Sequence, residues 1–234
     1  MSERIASATT ERGEVTLRRV EDACGRDALE LRVGGAFVMD TAITSTERRL
    51  ASAALQRCAS PQRVLVGGLG LGFTTAEVLT DERVQQVQVV EIEQPVIDWL
   101  GQGMVPGGPE LLADPRLEVV CADVLDHIAA APQRSVDLVL MDVDNGPGQL
   151  VHAGNAGLYQ QVMLHRLRRM LRPGGAVMFW SAEASPELRA SMAEVFEMTS
   201  EEALPVQLQE RSENYWLYTA LADARGGSSR ARGK

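Results

Sequence analysis

The chain predicts an α/β fold, a mostly parallel sheet with helices on both faces, preceded by a small antiparallel β-region. Three observations carry that expectation. Arg63-Val-Leu-Val-Gly-Gly-Leu-Gly-Leu-Gly-Phe73 reads as a buried strand, a glycine turn and the start of a helix. Val89-Val-Glu91-Ile-Glu93 follows about 20 residues later as a second strand ending in acids. Beyond it, short β-branched runs alternate with helical stretches as far as Trp180, the pattern of right-handed crossovers in a parallel sheet.

The β-region occupies residues 1–43. Val15–Val20 and Ala28–Val33 alternate apolar and polar side chains. Gly34-Gly35 is a hairpin signal, and Ala36–Asp40 is a third strand. Residues 44–222 form the main domain. Thr44-Ser45-Thr46-Glu47 opens a helix that reaches about Cys58, where Ser60-Pro61 ends it. The hydroxyls are capping side chains, and Glu47 suits the positive end of the helix dipole.

Parallel strands are expected at Val64–Val66, Val87–Ile92, Leu117–Cys121, Val136–Met141 and Ala176–Trp180. The helices between and after them are Thr74–Leu79, Gln94–Gly101, Val124–Ala130, Leu158–Leu171 and Pro186–Phe196. Val206–Glu210 and Tyr215–Ala220 read as an antiparallel closing pair, with no long helix between them. Residues 103–115 and 144–157 read as loops, and 223–234 as a disordered tail.

Composition narrows the function. A net charge of −9 is unsuited to general nucleic-acid binding, which needs surplus Lys and Arg. Cys24, Cys58 and Cys121 are scattered and the three histidines lack ligand spacing, so neither zinc nor a disulfide framework is expected. No apolar run is long enough for a bilayer span and no leader-like apolar segment opens the chain, so a cytoplasmic protein is expected.

Gly68, Gly70 and Gly72, with Leu69 among them, spell G-x-G-x-G. A dinucleotide site would place the third glycine one residue later, so an S-adenosylmethionine-type cofactor suits this loop better. Glu91 is either a solvated strand-end acid or the acceptor for a ribose diol, and its place downstream of the glycine loop favours the ribose. Asp123, after the third parallel strand, suits a helix N-cap and an adenine amine acceptor, through different oxygens. Ile92 and Val124 are their apolar neighbours in the same cofactor site.

Asp142 and Asp144 follow the fourth parallel strand in Asp142-Val-Asp-Asn-Gly-Pro147. Asp142 can orient or deprotonate an acceptor. Asp144 suits that chemistry or the bracing of its loop equally well. Trp180 and Ser181 suit the wall of an acceptor pocket, with packing the commoner role for Trp180. His152 suits a base, though a lone loop histidine is more often surface; Asn155, Leu158 and Tyr159 suit closing the site or starting the next helix.

Taken together, Phe37–Asp40, Val64–Gly72, Val90–Glu93, Ala122-Asp123, Asp142–Pro147 and Arg172–Gly175 resemble the spermidine synthase-like branch of the class I S-adenosylmethionine-dependent transferases. The resemblance implies a doubly wound, seven-stranded, methyltransferase-like sheet behind an N-terminal β-sheet, assembled as a homodimer or larger. It also implies ribose and adenine roles for Glu91 and Asp123. Two departures stand out. Aminopropyltransferases carry an acid in the glycine loop for the aminopropyl ammonium, where this chain has Gly70. Their polyamine-holding tyrosine falls at Ala53, and Arg49 stands in place of an acid. Ordinary methyltransferases place an acid at the position of Val66, so that partner is missing too.

Arg48 and Arg49, if they faced the acceptor, would repel a polyamine. On that ground methyl transfer to a small-molecule acceptor leads. Aminopropyl transfer from decarboxylated S-adenosylmethionine is the second expectation, and a non-catalytic binding protein on the same fold the third.

Overall fold

The backbone of the computed structural model is described for residues 2–22, 24–208 and 211–223. Four N-terminal strands, β1 (Glu3–Thr10), β2 (Gly13–Glu21), β3 (Asp27–Val33) and β4 (Ala36–Asp40), form an antiparallel sheet in sequential order. That is one strand more than the sequence pattern predicts. Glu3–Thr10 is rich in Ala and Ser and shows little alternation. It is a strand because it pairs with β2 from Glu3↔Arg19 to Thr10↔Gly13, a tertiary outcome that overrides weak propensity.

α1 (Ser45–Arg57) follows, though the Thr44 side chain makes no capping hydrogen bond. The main sheet contains β5 (Arg63–Gly67), β6 (Gln86–Glu91), β7 (Leu117–Cys121), β8 (Val136–Met141), β9 (Leu171–Ser181), β10 (Met198–Leu208) and β11 (Arg211–Leu221). Their spatial order is β10-β11-β9-β8-β5-β6-β7. β5 to β9 run parallel, while β11 pairs antiparallel with both β9 and β10. The closing pair is longer than expected. Gln209 and Glu210, which end the first of its expected strands, lie outside the described residues, as does the tail from Ala224.

Alternate residues of the central strands point to opposite faces. Val64, Val66, Leu138 and Leu140 pack toward the N-terminal sheet, α1, α2 (Phe73–Leu79) and α3 (Gln94–Gly101). Leu65, Val139, Met141, Val177 and Phe179 pack toward α5 (Val124–Ala130), α6 (Gln161–Met170) and α7 (Pro186–Val195). Helices therefore cover both faces, as predicted. Two loops differ from expectation. Residues 103–115 contain a short helix, α4 (Gly108–Leu112). A 3-10 turn over Ala153–Tyr159 replaces the start of the expected helix at Leu158.

Strand order reverses between β5 and β8, so a crevice opens beyond their carboxyl ends. Gly68 sets its width. Its φ is +88°, and a Cβ there would lie 2.2 Å from the Asp142 carbonyl oxygen. Gly68→Ala should therefore lower unfolding free energy by about 2–4 kcal/mol, from left-handed strain plus overpacking. A denaturant midpoint unchanged from the native chain would refute this close-approach role.

Candidate active site

The crevice holds a cavity bounded by the β5, β6, β7 and β8 ends and roofed by Leu31, Val33, Val38 and Met39 of the N-terminal sheet. Gly68, Gly70, Glu91, Ile92, Asp123, Val124 and Asp142 all line it. Leu69 and Gly72, predicted with them, do not. Leu69 turns its side chain into the core and donates its N–H to Glu91 Oε2 at 2.8 Å. Gly72 (φ +90°) caps the start of α2.

Glu91 is buried, and its Oε1 accepts the Glu93 N–H at 2.8 Å. With the Gly70 N–H as a third backbone donor, the carboxylate still keeps acceptor capacity for a ligand. Burial pushes this carboxyl above its ordinary range. Neighbouring Glu93 is tied up by Arg12 of the β1–β2 turn, which donates to Glu93 Oε1 at 2.8 Å and to the Ile92 carbonyl at 2.7 Å. Asp123 Oδ1 accepts the Leu125 N–H at 2.7 Å as the α5 N-cap, and the residue also lines the cavity. Both readings of Asp123 fit that geometry.

Asp142 Oδ2 accepts the Thr74 hydroxyl at 2.6 Å. Desolvation raises its carboxyl to about 6 despite that bond. Asp144 is buried differently. It accepts from the Val151 N–H (2.7 Å), Asn155 Nδ2 (2.9 Å) and the Tyr159 hydroxyl (3.2 Å), so its carboxylate braces residues 144–159. Desolvation raises the Asp144 carboxyl, and burial first, then the nearby Asp144, raises the Tyr159 phenol, which stays protonated. His152 lines the cavity and places Nε2 3.5 Å from Glu93 Oε1. Leu158 is core. Ser181 Oγ donates to the Glu183 carbonyl at 2.7 Å, away from a substrate role.

A second cavity, about 520 Å³, adjoins the first. Met39, Glu47 and Trp180 line both. Asp40, Asn145, Gln149, Glu183, Glu213 and Tyr215 add to its polar side, and no Arg, Lys or His lines it among the described residues. The predicted repulsion by Arg48 and Arg49 is absent, because α1 turns both outward. Arg48 lies 3.3 Å from Glu77 and 5.3 Å from the Phe73 ring centre, while Arg49 reaches Glu202 at 2.7 Å.

Glu47 is the residue that sequence reading missed. It is 8% exposed and accepts the Thr46 hydroxyl at 2.8 Å. Burial first, then the charges of Asp142 and Asp40, raise it to about 7. Its spacing held the clue. Glu47, Leu50, Ala51 and Ala54 fall at i, i+3, i+4 and i+7, one buried helix face.

A family profile for the spermine/spermidine synthase domain matches residues 44–211, well over half of the chain. The chain belongs to that family. A polyamine aminopropyltransferase of Prochlorococcus marinus (strain MIT 9313) is 35% identical over 137 residues, covering 57% of this chain and 44% of the relative. Putrescine N-methyltransferase 3 of Nicotiana tabacum is 28% identical over 120 residues, covering 50% of this chain and 29% of the relative. The chain thus spans less than half the length of either curated relative. A spermidine synthase solved in complex with the transition-state analogue AdoDATO superposes with a TM-score of 0.79. It is 17% identical and covers 95% of this chain and 75% of that one, so the likeness shows the shared fold.

Within this spermine/spermidine synthase-family fold, no group of acids, histidines and cysteines suited to a metal occurs among the described residues. No helix there is long and apolar enough to cross a membrane.

The raised carboxyls have a consequence for stability. Asp142 ionises first, so its repulsion falls on Glu47. From about pH 4 to pH 7 the folded chain binds more protons than the unfolded chain, and stability falls as pH rises through that window. Glu47→Gln should match the native chain near pH 4 and exceed it at pH 8 by on the order of 1–3 kcal/mol. Thermal melts across that range test this. Parallel native and variant curves would rule the buried charge out.

Proposed function

We propose that the protein transfers an aminopropyl group from decarboxylated S-adenosylmethionine to a cationic amine. The observation that carries this reading is the second cavity, with four carboxylates and no basic side chain on its wall among the described residues. A substrate bearing two or more positive charges meets complementary potential there. With Arg48 and Arg49 directed outward, the electrostatic ground for placing methyl transfer first is removed. The greater identity to an aminopropyltransferase than to an N-methyltransferase points the same way.

The residues present fit such a donor. Gly68 and Gly70 let the loop turn tightly against the Asp142 backbone and Met39 at the edge of the crevice. Glu91 and Asp123 each keep acceptor capacity for ribose and adenine, and Ile92 and Val124 offer apolar walls. When bound, the donor supplies a carbon activated by a sulfonium. Asp142 orients the acceptor nitrogen and takes its proton, a task suited to a carboxyl held near 6. Asp144 acts as a positioning residue, fixing the loop that shields this centre from water.

Incubation with putrescine and either donor separates the readings. The expected outcome is release of 5′-methylthioadenosine from decarboxylated S-adenosylmethionine. S-adenosylhomocysteine formed from S-adenosylmethionine instead would establish the methyl-transfer alternative. Failure to bind either donor would leave a non-catalytic protein. Asp142→Asn should lower kcat by about 10²- to 10⁴-fold with donor affinity little changed. Loss of donor affinity alone would remove Asp142 from proton handling.

A further inference from the structure

We infer that Glu47 replaces the missing glycine-loop acid and holds the terminal ammonium of the aminopropyl donor, a specificity role for the first turn of α1. The inference rests on the aminopropyl reading above. It starts from the loop itself. Gly70 has φ +51°, and a Cβ there would lie 2.6 Å from Met39 Sδ. That sulfur also receives the Leu71 N–H at 3.1 Å. The thioether fills the space into which a side chain at position 70 would grow, so the loop supplies no carboxylate and Met39 occupies the place of one.

An ammonium in this enclosed crevice still needs an anion, because an unpaired buried charge costs several kcal/mol. Six acids line the first cavity: Glu47, Glu91, Glu93, Asp123, Asp142 and Asp144. Four are committed. Glu91 and Asp123 sit at the nucleoside end, Glu93 is paired with Arg12, and Asp144 is held by three donors from its own loop. Asp142 and Glu47 remain, and Asp142 serves the acceptor nitrogen. Glu47 alone of the six also lines the second cavity, so it stands where donor and acceptor spaces meet.

Local geometry supports the assignment. The Thr74 hydroxyl is 2.6 Å from Asp142 Oδ2 and 3.4 Å from the Glu47 carbonyl oxygen, which joins the turn carrying Glu47 to the reacting end. Glu47 has no ion-pair partner among the described residues, although Arg48 and Arg49 follow it directly. Both of those side chains are drawn to Glu77 and Glu202, which leaves the Glu47 carboxylate free for a cation from outside the chain.

Calorimetric titration with decarboxylated S-adenosylmethionine and with 5′-methylthioadenosine tests this. The second ligand carries the same nucleoside without the ammonium. The native chain should bind the donor more tightly than the nucleoside. Glu47→Gln should weaken donor binding by about 10- to 100-fold, the worth of one hydrogen bond to a charged group, and leave the nucleoside unchanged. Glu47→Asp should recover part of the loss. If Glu47→Gln weakens both ligands alike, or neither, the role is refuted while the aminopropyl reading stands. If the native chain itself fails to discriminate the two ligands, both fall together.

Discussion

The backbone of Asp142 passes so close to Gly68 that only a hydrogen fits between them. Two hydrogen bonds hold that approach, Asp142 N–H to the Gly67 carbonyl and Gly68 N–H to the Val90 carbonyl, each 2.9 Å. Three strand ends are thereby tied at the point where the sheet reverses its order. The glycine loop, the acid ending β6 and the acid following β8 cannot move apart without breaking that contact. The other candidate site groups are arranged around this knot. Glu91 braces the loop from one side through the Leu69 N–H, and Thr74 reaches Asp142 from the first turn of α2.

A site fixed in this way concentrates negative charge. Asp142 and Asp40 both bear on the buried Glu47, and none of the three forms an ion pair among the described residues. In the free chain this arrangement costs stability as pH rises. A polycationic substrate would relieve the cost, so the same carboxylates that strain the fold favour binding. The arginines that could have neutralised them are held elsewhere: Arg48 by Glu77 and Phe73, Arg49 and Arg57 by Glu202. Sequence neighbours thus end on opposite sides of α1, one facing the crevice and two facing outward.

That division marks the limit of what could be read from the chain. Long periodic segments were legible. Gln94–Gly101 and Val124–Ala130 have the bounds expected from their pattern, and the closing antiparallel pair was visible because no helix separates its strands. The place of Glu91, Asp123 and Asp142 in the crevice was legible because each stands at or just after the carboxyl end of a parallel strand. β1 was not, since its identity lies in its partner. The direction of Arg48 and Arg49 was not, since it depends on acids 29 and 153 residues away in sequence. Asp144 could be read two ways, because only the folded loop brings Val151, Asn155 and Tyr159 to its oxygens.

The N-terminal sheet reads in sequence as an appendage, yet it forms part of the crevice. Arg12, at the tip of its first hairpin, fastens to Glu93 and to the Ile92 carbonyl beside the proposed ribose acid. Asn145, in the loop after β8, donates to the Phe37 carbonyl at 2.9 Å. Met39 occupies the space beside Gly70 and stands in the wall common to both cavities. A glycine at position 70 and a thioether at position 39 are therefore one device. Each makes sense of the other, and under the proposed reading together they move the demand for an anion from the loop to the first turn of α1. An acid placed on a helix face otherwise built of Leu50, Ala51 and Ala54 is costly to bury. Its position there follows if the charge it answers arrives with a ligand.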